Sequence, residues 1–432
     1  MTTLIRPGQK PGQPAFAAPA ATAGKTAADY IRRERAYGSR NYDPLPVVIS
    51  QGEGSWLTDV EGRRYLDLMS AYSAVSFGHA HPRILAAFTE QAHRLAVTSR
   101  AYFNDRLPLL LERLVAMTGL DRALPVNTGL EAVETAIKAS RKWAHKVKGV
   151  PDGRAEIIAC RGNFHGRSIT ATGLSTEAQY RDGFGPYPSG LRTIPFDDPE
   201  ALEAAIGPST AAFLVEPVQG EAGIVVPREG YLARCAEICR RHRVLLICDE
   251  VQTGLGRTGH TFGWQHDGAM PDGIILGKAL GGGLMPVSAF VATDDVMQVF
   301  NPGDHGSTFG GNPLGAAVAL AALEVLEDER LVARSRELGE WMLAELKRIE
   351  SPLVKDVRGR GLFIGIEVDA DQTTARTVVD RLLARGILSK DTHGTVVRIA
   401  PPLNVPREAL GWAVGEIRAA LHDVETGKKR VA

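Results

Sequence analysis

The sequence places a charged residue at the end of each of two apolar stretches. Val244–Cys248 is followed by Asp249, and Gly273–Leu276 is followed, after Gly277, by Lys278. A charge at the end of a buried strand is costly unless it meets an opposite charge or a ligand. Either residue alone fits a strand that ends in a solvated turn. The two together favour a bound organic cofactor.

A lysine and an acid in this arrangement suit a pyridoxal cofactor. A buried lysine near other cations loses its proton easily, and its neutral amine can attack an aldehyde to form a Schiff base. An acid opposite keeps the pyridine nitrogen protonated, so that the ring accepts electrons. We therefore expect Lys278 to hold the cofactor and Asp249 to hold its ring nitrogen. Gly281–Gly283 would let the backbone come close to the ring.

An earlier turn is suited to bind a phosphate group. The apolar run Ala123–Val126 ends in Asn127-Thr128-Gly129, and a helix is predicted to begin near Glu131. The N–H groups and the dipole at the start of a helix bind anions. Asn127 or Thr128 also fits a plain helix N-cap, and both roles can hold together.

The loop "GNFHGRSIT" follows another apolar run, Glu156–Ala159. Its Phe164 can stack on a cofactor ring, and the guanidinium of Arg167 can bind a carboxylate through two hydrogen bonds. His165 can act as a base, but a lone histidine in a loop is more often structural, so it is left out of the proposed chemistry. Tyr42 and Tyr72 fit core aromatics, which is the usual case for tyrosine.

Two other patterns are weaker. Gly254–Gly259 matches the G-x-G-x-x-G fingerprint of dinucleotide-binding proteins, but five residues separate it from the preceding strand and no apolar-periodic helix follows. An NAD-dependent dehydrogenase is therefore only a remote alternative. Cys235 and Cys239 are one helical turn apart, yet no matching Cys/His pair accompanies them, so buried thiols and no metal site are expected.

Short apolar runs alternate with amphipathic helical stretches through the middle of the chain. This alternation predicts an α/β fold with a mostly parallel, seven-stranded sheet between helices, in which ligands bind at the carboxyl ends of the strands. The seven predicted strands are Ala123–Val126, Glu156–Ala159, Leu191–Ile194, Ala212–Val215, Val244–Cys248, Gly273–Leu276 and Ser288–Val291.

A chain of 432 residues is too long for one simple core. We predict a disordered tail over residues 1–25, which are rich in Ala, Pro and Gly. Residues 26–75 form an N-terminal segment that packs with the small domain, and residues 76–325 form the large domain. Residues 326–432 form a smaller α+β domain, with a long helical stretch interrupted in its middle.

Composition restricts the partners and the compartment. Lys+Arg 50 against Asp+Glu 50 leaves no broad positive field for nucleic acid or membrane surfaces, and no apolar run is long enough to span a bilayer. Four cysteines in so long a chain do not form a disulfide scaffold. A cytoplasmic protein with small-molecule substrates is expected.

The segments "CDEVQTGLGRTG" and "PDGIILGKALGGG" resemble the signature of the class III, fold-type I pyridoxal-phosphate aminotransferases, and the resemblance covers about residues 28–425. Asp249 and Lys278 are 278 − 249 = 29 positions apart, as in that family. "NYDPLPV", "SAYSAVSFGHAHP" and "VEPVQGEAGIVVP" resemble members that act on ornithine. The resemblance implies a homodimer or dimer of dimers with pyridoxal 5'-phosphate as cofactor.

The resemblance also implies roles for individual residues. Lys278 would be the Schiff-base lysine and Asp249 the partner of the pyridine nitrogen. The other cofactor residues would be Gly129 and Leu130 through their backbone at the phosphate, Phe164 against the ring, Gln252 at the ring oxygen, and Ser307 and Thr308 from the other subunit. The substrate residues would be Tyr42, Tyr72 and Arg167, with Glu221 masking Arg398 while ornithine is bound.

The implied reaction moves the δ-amino group of ornithine to 2-oxoglutarate by a ping-pong mechanism. Acetylornithine or 4-aminobutyrate as the amine donor is the close alternative, and a catalytically inactive binding protein is a distant one. The chain departs from the family at Leu130, where a smaller apolar residue is common, and at His165, where some members have an aromatic residue. Neither departure affects the predicted chemistry.

Overall fold

The computed structural model describes residues 26–427. The tail predicted for residues 1–25 lies outside the described part of the chain. The chain divides into two compact units. One contains the residues up to Gln51 together with Thr58–Arg63, and the other contains Gly52–Leu57 and the chain from Arg64 onward.

The N-terminal part contains one helix and three short strands, α1 (Ala27–Tyr37), β1 (Ile49–Glu53), β2 (Trp56–Asp59) and β3 (Arg64–Asp67). A turn at Glu61-Gly62 joins β2 to β3, where Asp59 N donates to Arg63 O at 3.0 Å and Gly62 has φ +82°. Thr26 caps α1 through its side chain.

A single helical turn, α2 (Ser70–Ser73), follows β3 and has the unusual left hand. Its four residues all have positive φ, with φ/ψ of 47°/51° at Ala71 and 58°/44° at Tyr72. None of them is glycine, so the turn stores backbone strain. The structure therefore holds Tyr72 in a conformation that the chain would not adopt by itself.

The central sheet has the predicted seven strands, each within two residues of its predicted ends. Their order is β4-β10-β9-β8-β7-β5-β6, and all neighbouring pairs are parallel except those of β10. The mostly parallel α/β sheet is thus confirmed. The strands are β4 (Arg122–Val126), β5 (Glu156–Cys160), β6 (Leu191–Ile194), β7 (Thr210–Val215), β8 (Leu245–Asp249), β9 (Gly273–Leu276) and β10 (Ser288–Ala292).

The parallel pairing of β8 with β9 brings Asp249 and Lys278 to the carboxyl edge of the sheet. Asp249 is the last residue of β8 and pairs with Ile275, three residues before Lys278. Both strands are fully buried, which their continuous apolar sequences predicted.

Helices cover the sheet on both faces. Pro82 begins α3, and Ile84 on its apolar face is fully buried. Small side chains of α5, including Ala132 and Ala136, are buried in the core under the sheet. The helices of this region are α3 (Pro82–Arg94), α4 (Leu107–Thr118), α5 (Gly129–Trp143), α6 (Ile169–Leu174), α7 (Ala178–Arg181), α8 (Pro199–Ala205), α9 (Tyr231–Arg241) and α10 (Asp294–Met297).

The C-terminal part contains an antiparallel sheet with strand order β11-β12-β15-β14. The predicted interruption of the long helical stretch is confirmed, because Arg330, with φ +52°, separates α11 from α12. The domain boundaries themselves stay a prediction. The elements are α11 (Pro313–Asp328), α12 (Leu331–Lys347), β11 (Val354–Arg360), β12 (Phe363–Val368), α13 (Ala375–Ala384), β13 (Ile387–Leu388), β14 (Lys390–Thr392), β15 (Val396–Ile399) and α14 (Arg407–Glu425).

Among the residues described, no helix has both the length and the apolar character needed to cross a membrane.

Candidate active site

Lys278 follows the carboxyl end of β9 and begins a 3-10 turn, Lys278–Gly281. Its backbone lies in the left-handed region with φ +44°, after an extended Gly277. Its ammonium forms no hydrogen bond or salt bridge with any residue from 26 to 427. Burial lowers the pKa of Lys278 to about 8, Glu221 and Asp249 oppose this shift, and Arg398 adds to it. An amine that is partly neutral and has no hydrogen-bond partner is suited to attack a carbonyl carbon.

Asp249 is held by a buried histidine. His165 Nδ1 and Asp249 Oδ2 are 2.7 Å apart, and the other carboxylate oxygen, Oδ1, accepts from Val251 N at 3.1 Å. Burial alone lowers the pKa of His165, but the hydrogen bond and the charge of Asp249 outweigh it and raise the pKa. His165 was left out of the chemistry predicted from the sequence, and the structure places it in direct contact with a predicted catalytic residue.

A second buried acid, Glu216, follows β7. Its Oε1 accepts from Phe164 N at 2.9 Å, and its Oε2 accepts from Gly220 N at 3.2 Å. Burial raises the pKa of Glu216 to about 7, against the effect of His165 and with a contribution from Asp249. Glu216 thus ties the loop that contains Phe164 to the turn that precedes Glu221.

Arg398 is 1% exposed and pairs with Glu221. Arg398 Nη1 donates to Glu221 Oε1 at 2.6 Å, and Nη2 donates to Gln252 Oε1 at 2.8 Å. The guanidinium carbon lies 5.2 Å from the centre of the Tyr72 ring. Burial raises the pKa of Glu221, but Arg398 outweighs this effect and holds it below the usual value. The predicted pair is therefore closed in this structure.

Gln252 completes this network, because its Nε2 also donates to Glu221 Oε1, at 3.3 Å. Both ends of its amide therefore bind the Glu221–Arg398 pair. The hydrogen bond predicted from Gln252 to the ring oxygen of the cofactor stays a prediction.

Phe164 and Arg167 lie in the loop between β5 and α6. The guanidinium of Arg167 lies 3.7 Å from the centre of the Tyr180 ring and 5.4 Å from that of Phe164, and the two rings meet edge to face at 6.3 Å. Arg167 is exposed, which leaves its donors accessible to an anion.

The predicted phosphate turn begins α5. Gly129 and Leu130 are its first two residues, whose N–H groups have no partner inside the helix. Thr128 is the N-cap and forms a capping box with Glu131. A Cβ on Gly129 would lie 3.0 Å from Val251 Cγ1, so glycine permits the close approach of this turn to the end of β8.

Ser307 lies beside the same turn, where its Oγ accepts from Asn127 Nδ2 of its own chain at 2.7 Å. Thr308 is exposed. A contribution of these two residues to the site of another subunit stays a prediction. Tyr42 belongs to the first unit and is 76% exposed, and its predicted contact with substrate also stays a prediction.

The glycine-rich segment Gly254–Gly259 forms turns, and a short 3-10 turn, Gly263–His266, follows it in place of an α-helix. Its Arg257 is fully buried and donates to Leu362 O, Pro401 O and Ser76 Oγ at 2.6–2.9 Å. This segment therefore anchors distant parts of the chain, which explains its pattern without a dinucleotide. Cys235 and Cys239 are buried in α9 as free thiols.

The arrangement fits pyridoxal 5'-phosphate. An amine without a partner, a buried carboxylate fixed by a histidine, and a helix start with free N–H groups match its aldehyde, its ring nitrogen and its phosphate. The sequence analysis considered His165 but left it out of the chemistry, and it did not single out Glu216 or Tyr180. Glu216 could have been found, since it follows the apolar strand Ala212–Val215 just as Asp249 and Lys278 follow theirs.

Comparison with known proteins agrees with this geometry. Residues 37–421 match the family described as aminotransferase class-III. The chain is 54% identical over 402 residues to the ornithine aminotransferase of Bacillus subtilis, covering 93% of this chain and 100% of the relative.

Two solved structures are also similar. One is an ornithine aminotransferase of Toxoplasma gondii with partial PLP occupancy at its active site, at TM-score 0.92 and 46% identity, covering 94% of this chain and 96% of the other. The second is an acetylornithine aminotransferase of Elizabethkingia anophelis, at TM-score 0.83 and 42% identity, covering 92% of this chain and 100% of the other.

Proposed function

The chain belongs to the class-III aminotransferases, and on this premise we propose that it is an enzyme for ornithine. It transfers the δ-amino group of L-ornithine to 2-oxoglutarate and gives glutamate-5-semialdehyde and glutamate. The reaction is ping-pong, since one site handles the donor and the acceptor in turn. The cofactor is pyridoxal 5'-phosphate.

The closed Glu221–Arg398 pair is the observation that carries this proposal. A site for both substrates must first accept ornithine, which has no carboxylate near its reacting δ-amine, and then 2-oxoglutarate, which has a carboxylate next to its reacting keto carbon. An arginine that a nearby glutamate masks in one half-reaction and exposes in the other meets this need. Arg398 and Glu221 form such a pair, with their charged atoms 2.6 Å apart and with Lys278 and Tyr72 nearby.

The residues assigned to the cofactor follow from its chemical groups. When bound, the cofactor withdraws electrons from the carbon that carries the amine and so makes a proton on that carbon acidic. Lys278 would hold its aldehyde carbon, and Asp249, oriented by His165, would hold its ring nitrogen. Gly129 and Leu130 would bind its phosphate, and Phe164 would cover its ring.

The chain's own groups then perform the proton transfer. Lys278, whose pKa is lowered to about 8, can accept a proton from Cδ of ornithine and donate it again near neutral pH. Arg167 would bind the α-carboxylate of ornithine, and Tyr42 would contact its α-amino group. Arg398, released from Glu221, would bind the α-carboxylate of 2-oxoglutarate.

We further propose a homodimer in the cytoplasm. Ser307 and Thr308 would complete the phosphate site of the partner. The four buried free thiols support a reducing compartment.

A side-by-side assay of amine donors tests the proposal. The purified enzyme with 2-oxoglutarate should use ornithine with a higher kcat/KM than acetylornithine or 4-aminobutyrate. A preference for either of the other donors would overturn the assignment to ornithine. It would not affect the conclusion that the protein is an aminotransferase. As a matched variant, Tyr42→Phe should lower kcat/KM for ornithine and leave that for acetylornithine unchanged. An equal loss with both donors would remove Tyr42 from the substrate site.

A further inference from the structure

A small cavity lies away from the residues assigned to cofactor and substrate. Its walls come from the loop after β8, from α12 and from the turn between β11 and β12, and its volume is about 240 Å³. Its polar lining contains two arginines, two histidines, one hydroxyl and one acid. These residues are Thr258, His260, His266, Arg336, Glu340 and Arg360.

Several donor groups of this cavity lack acceptors among the described residues. Neither Arg336 nor Arg360 forms a salt bridge or a side-chain hydrogen bond with any residue in the described part of the chain. Arg360 Nη1 is buried without an acceptor, and the buried hydroxyl of Thr258 also has no partner. A buried donor without an acceptor costs about 1–3 kcal/mol, and more when it is charged. A ligand that supplies several acceptor oxygens would satisfy these groups together.

Two histidines lie beside these arginines in the lining. Their rings are 4.4 Å apart, and the bond between His266 Nε2 and Thr258 O, at 3.1 Å, fixes one of them. Burial, together with the charges of Arg360 and His260, lowers the pKa of His266 to about 4. The exposed Glu340 is the single acid in the lining, so the site favours an anion.

Three glycines bring the walls together. A Cβ on Gly339 of α12 would lie 2.1 Å from the carbonyl carbon of Gly361, and one on Gly361 would lie 2.5 Å from Gly259 N. Gly361 and Gly259 also have positive φ, +56° and +86°. Helix, loop and strand turn are therefore in backbone contact, so the cavity has fixed walls.

We propose that this cavity binds a compact tetrahedral oxyanion of the phosphate kind. Arg336 and Arg360 provide the charge, while Thr258 and His260 provide further donors. Guanidinium groups suit such oxyanions because they donate two parallel hydrogen bonds. The proposal is independent of the donor specificity proposed above, because none of these residues contributes to the reaction.

Calorimetric titration of the cofactor-loaded enzyme with inorganic phosphate, at constant ionic strength, tests the proposal. Loading with cofactor fills the phosphate end of the active site. Arg336→Gln should weaken phosphate binding by about tenfold, because it removes a charge-assisted hydrogen bond. Glu340→Gln should strengthen it by about threefold, because it removes the one acid of the lining. Both residues are exposed, so both variants should fold and keep their transaminase activity.

Arg418→Gln is the matched control, since it removes an exposed arginine on α14, outside the cavity. Its phosphate affinity should equal that of the wild type. The same shift in Arg336→Gln and Arg418→Gln, or no binding by the wild type at millimolar phosphate, would overturn the proposal. Titration with glycerol phosphate then shows whether the ligand is free phosphate or a phosphate group on a larger molecule. Free phosphate alone should bind if the cavity encloses its ligand.

Discussion

Three charged side chains, Lys278, Glu221 and Arg398, set the electrostatics of the site at the scale of single residues. Glu221 and Arg398 neutralise each other in their ion pair, while burial favours the neutral form of the Lys278 amine. Changing one of the three alters the balance of the other two, because each contributes to the pKa of Lys278 or of Glu221.

Loss of the glutamate should change which substrate the site prefers. Glu221→Gln keeps the shape but leaves Arg398 unmasked, so kcat/KM for ornithine should fall relative to that for glutamate. A hydrogen bond to a charged group contributes about 1.5–3 kcal/mol, which corresponds to roughly a 10–100-fold change in this ratio. Half-reaction kinetics with each amino acid measure it. An unchanged ratio would mean that the pair does not act as a switch.

The amine of Lys278 should titrate near pH 8 in the cofactor-free protein. Its pKa lies below the ordinary value of 10.5, so the amine is protonated and unreactive below pH 8 and neutral above it. Competitive labelling with trace acetic anhydride, read by mass spectrometry, should show half-maximal labelling of Lys278 near pH 8. The unfolded protein serves as the reference, with half-maximal labelling near pH 10.5. Equal midpoints in both states would contradict the account.

At the scale of elements, strand ends and one left-handed turn place these side chains. The pairing of β8 with β9 brings Asp249 and Lys278 to one edge of the sheet. Strand β15 carries Arg398, and α2 carries Tyr72 to it. Asp67 Oδ1 accepts from Met69 N and Ser70 N at 2.9 and 2.8 Å, which holds the start of α2.

Relief of strain in α2 should stabilise the protein. Ala71 is exposed and left-handed, so Ala71→Gly removes part of a cost of about 1–2 kcal/mol, and glycine's larger entropy in the unfolded chain offsets part of the gain. The free energy of unfolding, from denaturant titration, should rise by about 0.5–1 kcal/mol. The control Ala86→Gly, exposed in the right-handed α3, should lower it by about 1 kcal/mol. A loss in both variants would show that α2 is not strained.

Sequence patterns predicted the strands and helices well where burial alone determines the local structure. The apolar strands, and therefore the meeting of Asp249 with Lys278, follow from runs that only a doubly covered sheet explains. The contact of His165 with Asp249 could not be predicted, because it joins residues 84 positions apart through a loop conformation. The left hand of α2 was also beyond prediction, since "SAYS" contains no glycine and tertiary contacts impose its backbone.

At the scale of the whole molecule, the proposed homodimer adds a second copy of the chain to the site. The hydrogen bond between Ser307 and Asn127 places Ser307 beside the phosphate turn of its own chain, whereas the proposal assigns it to the turn of the partner. Hybrid dimers distinguish the two arrangements.

Mixed dimers should recover activity if Ser307 acts across the interface. Lys278→Ala and Ser307→Glu should each be inactive alone, the second because its carboxylate repels phosphate. After unfolding and refolding together, about one quarter of the wild-type activity should return, since about half of the dimers are hybrids with one intact site. No recovery would mean that Ser307 serves the site of its own chain.

Reduction of the cofactor-loaded enzyme with borohydride tests the central claim, that Lys278 holds the cofactor, most directly. After digestion and mass spectrometry, the peptide that contains Lys278 should carry the mass of the reduced cofactor, and Lys278→Ala should carry none. An adduct on another lysine, or an unmodified Lys278 in active enzyme, would contradict the account.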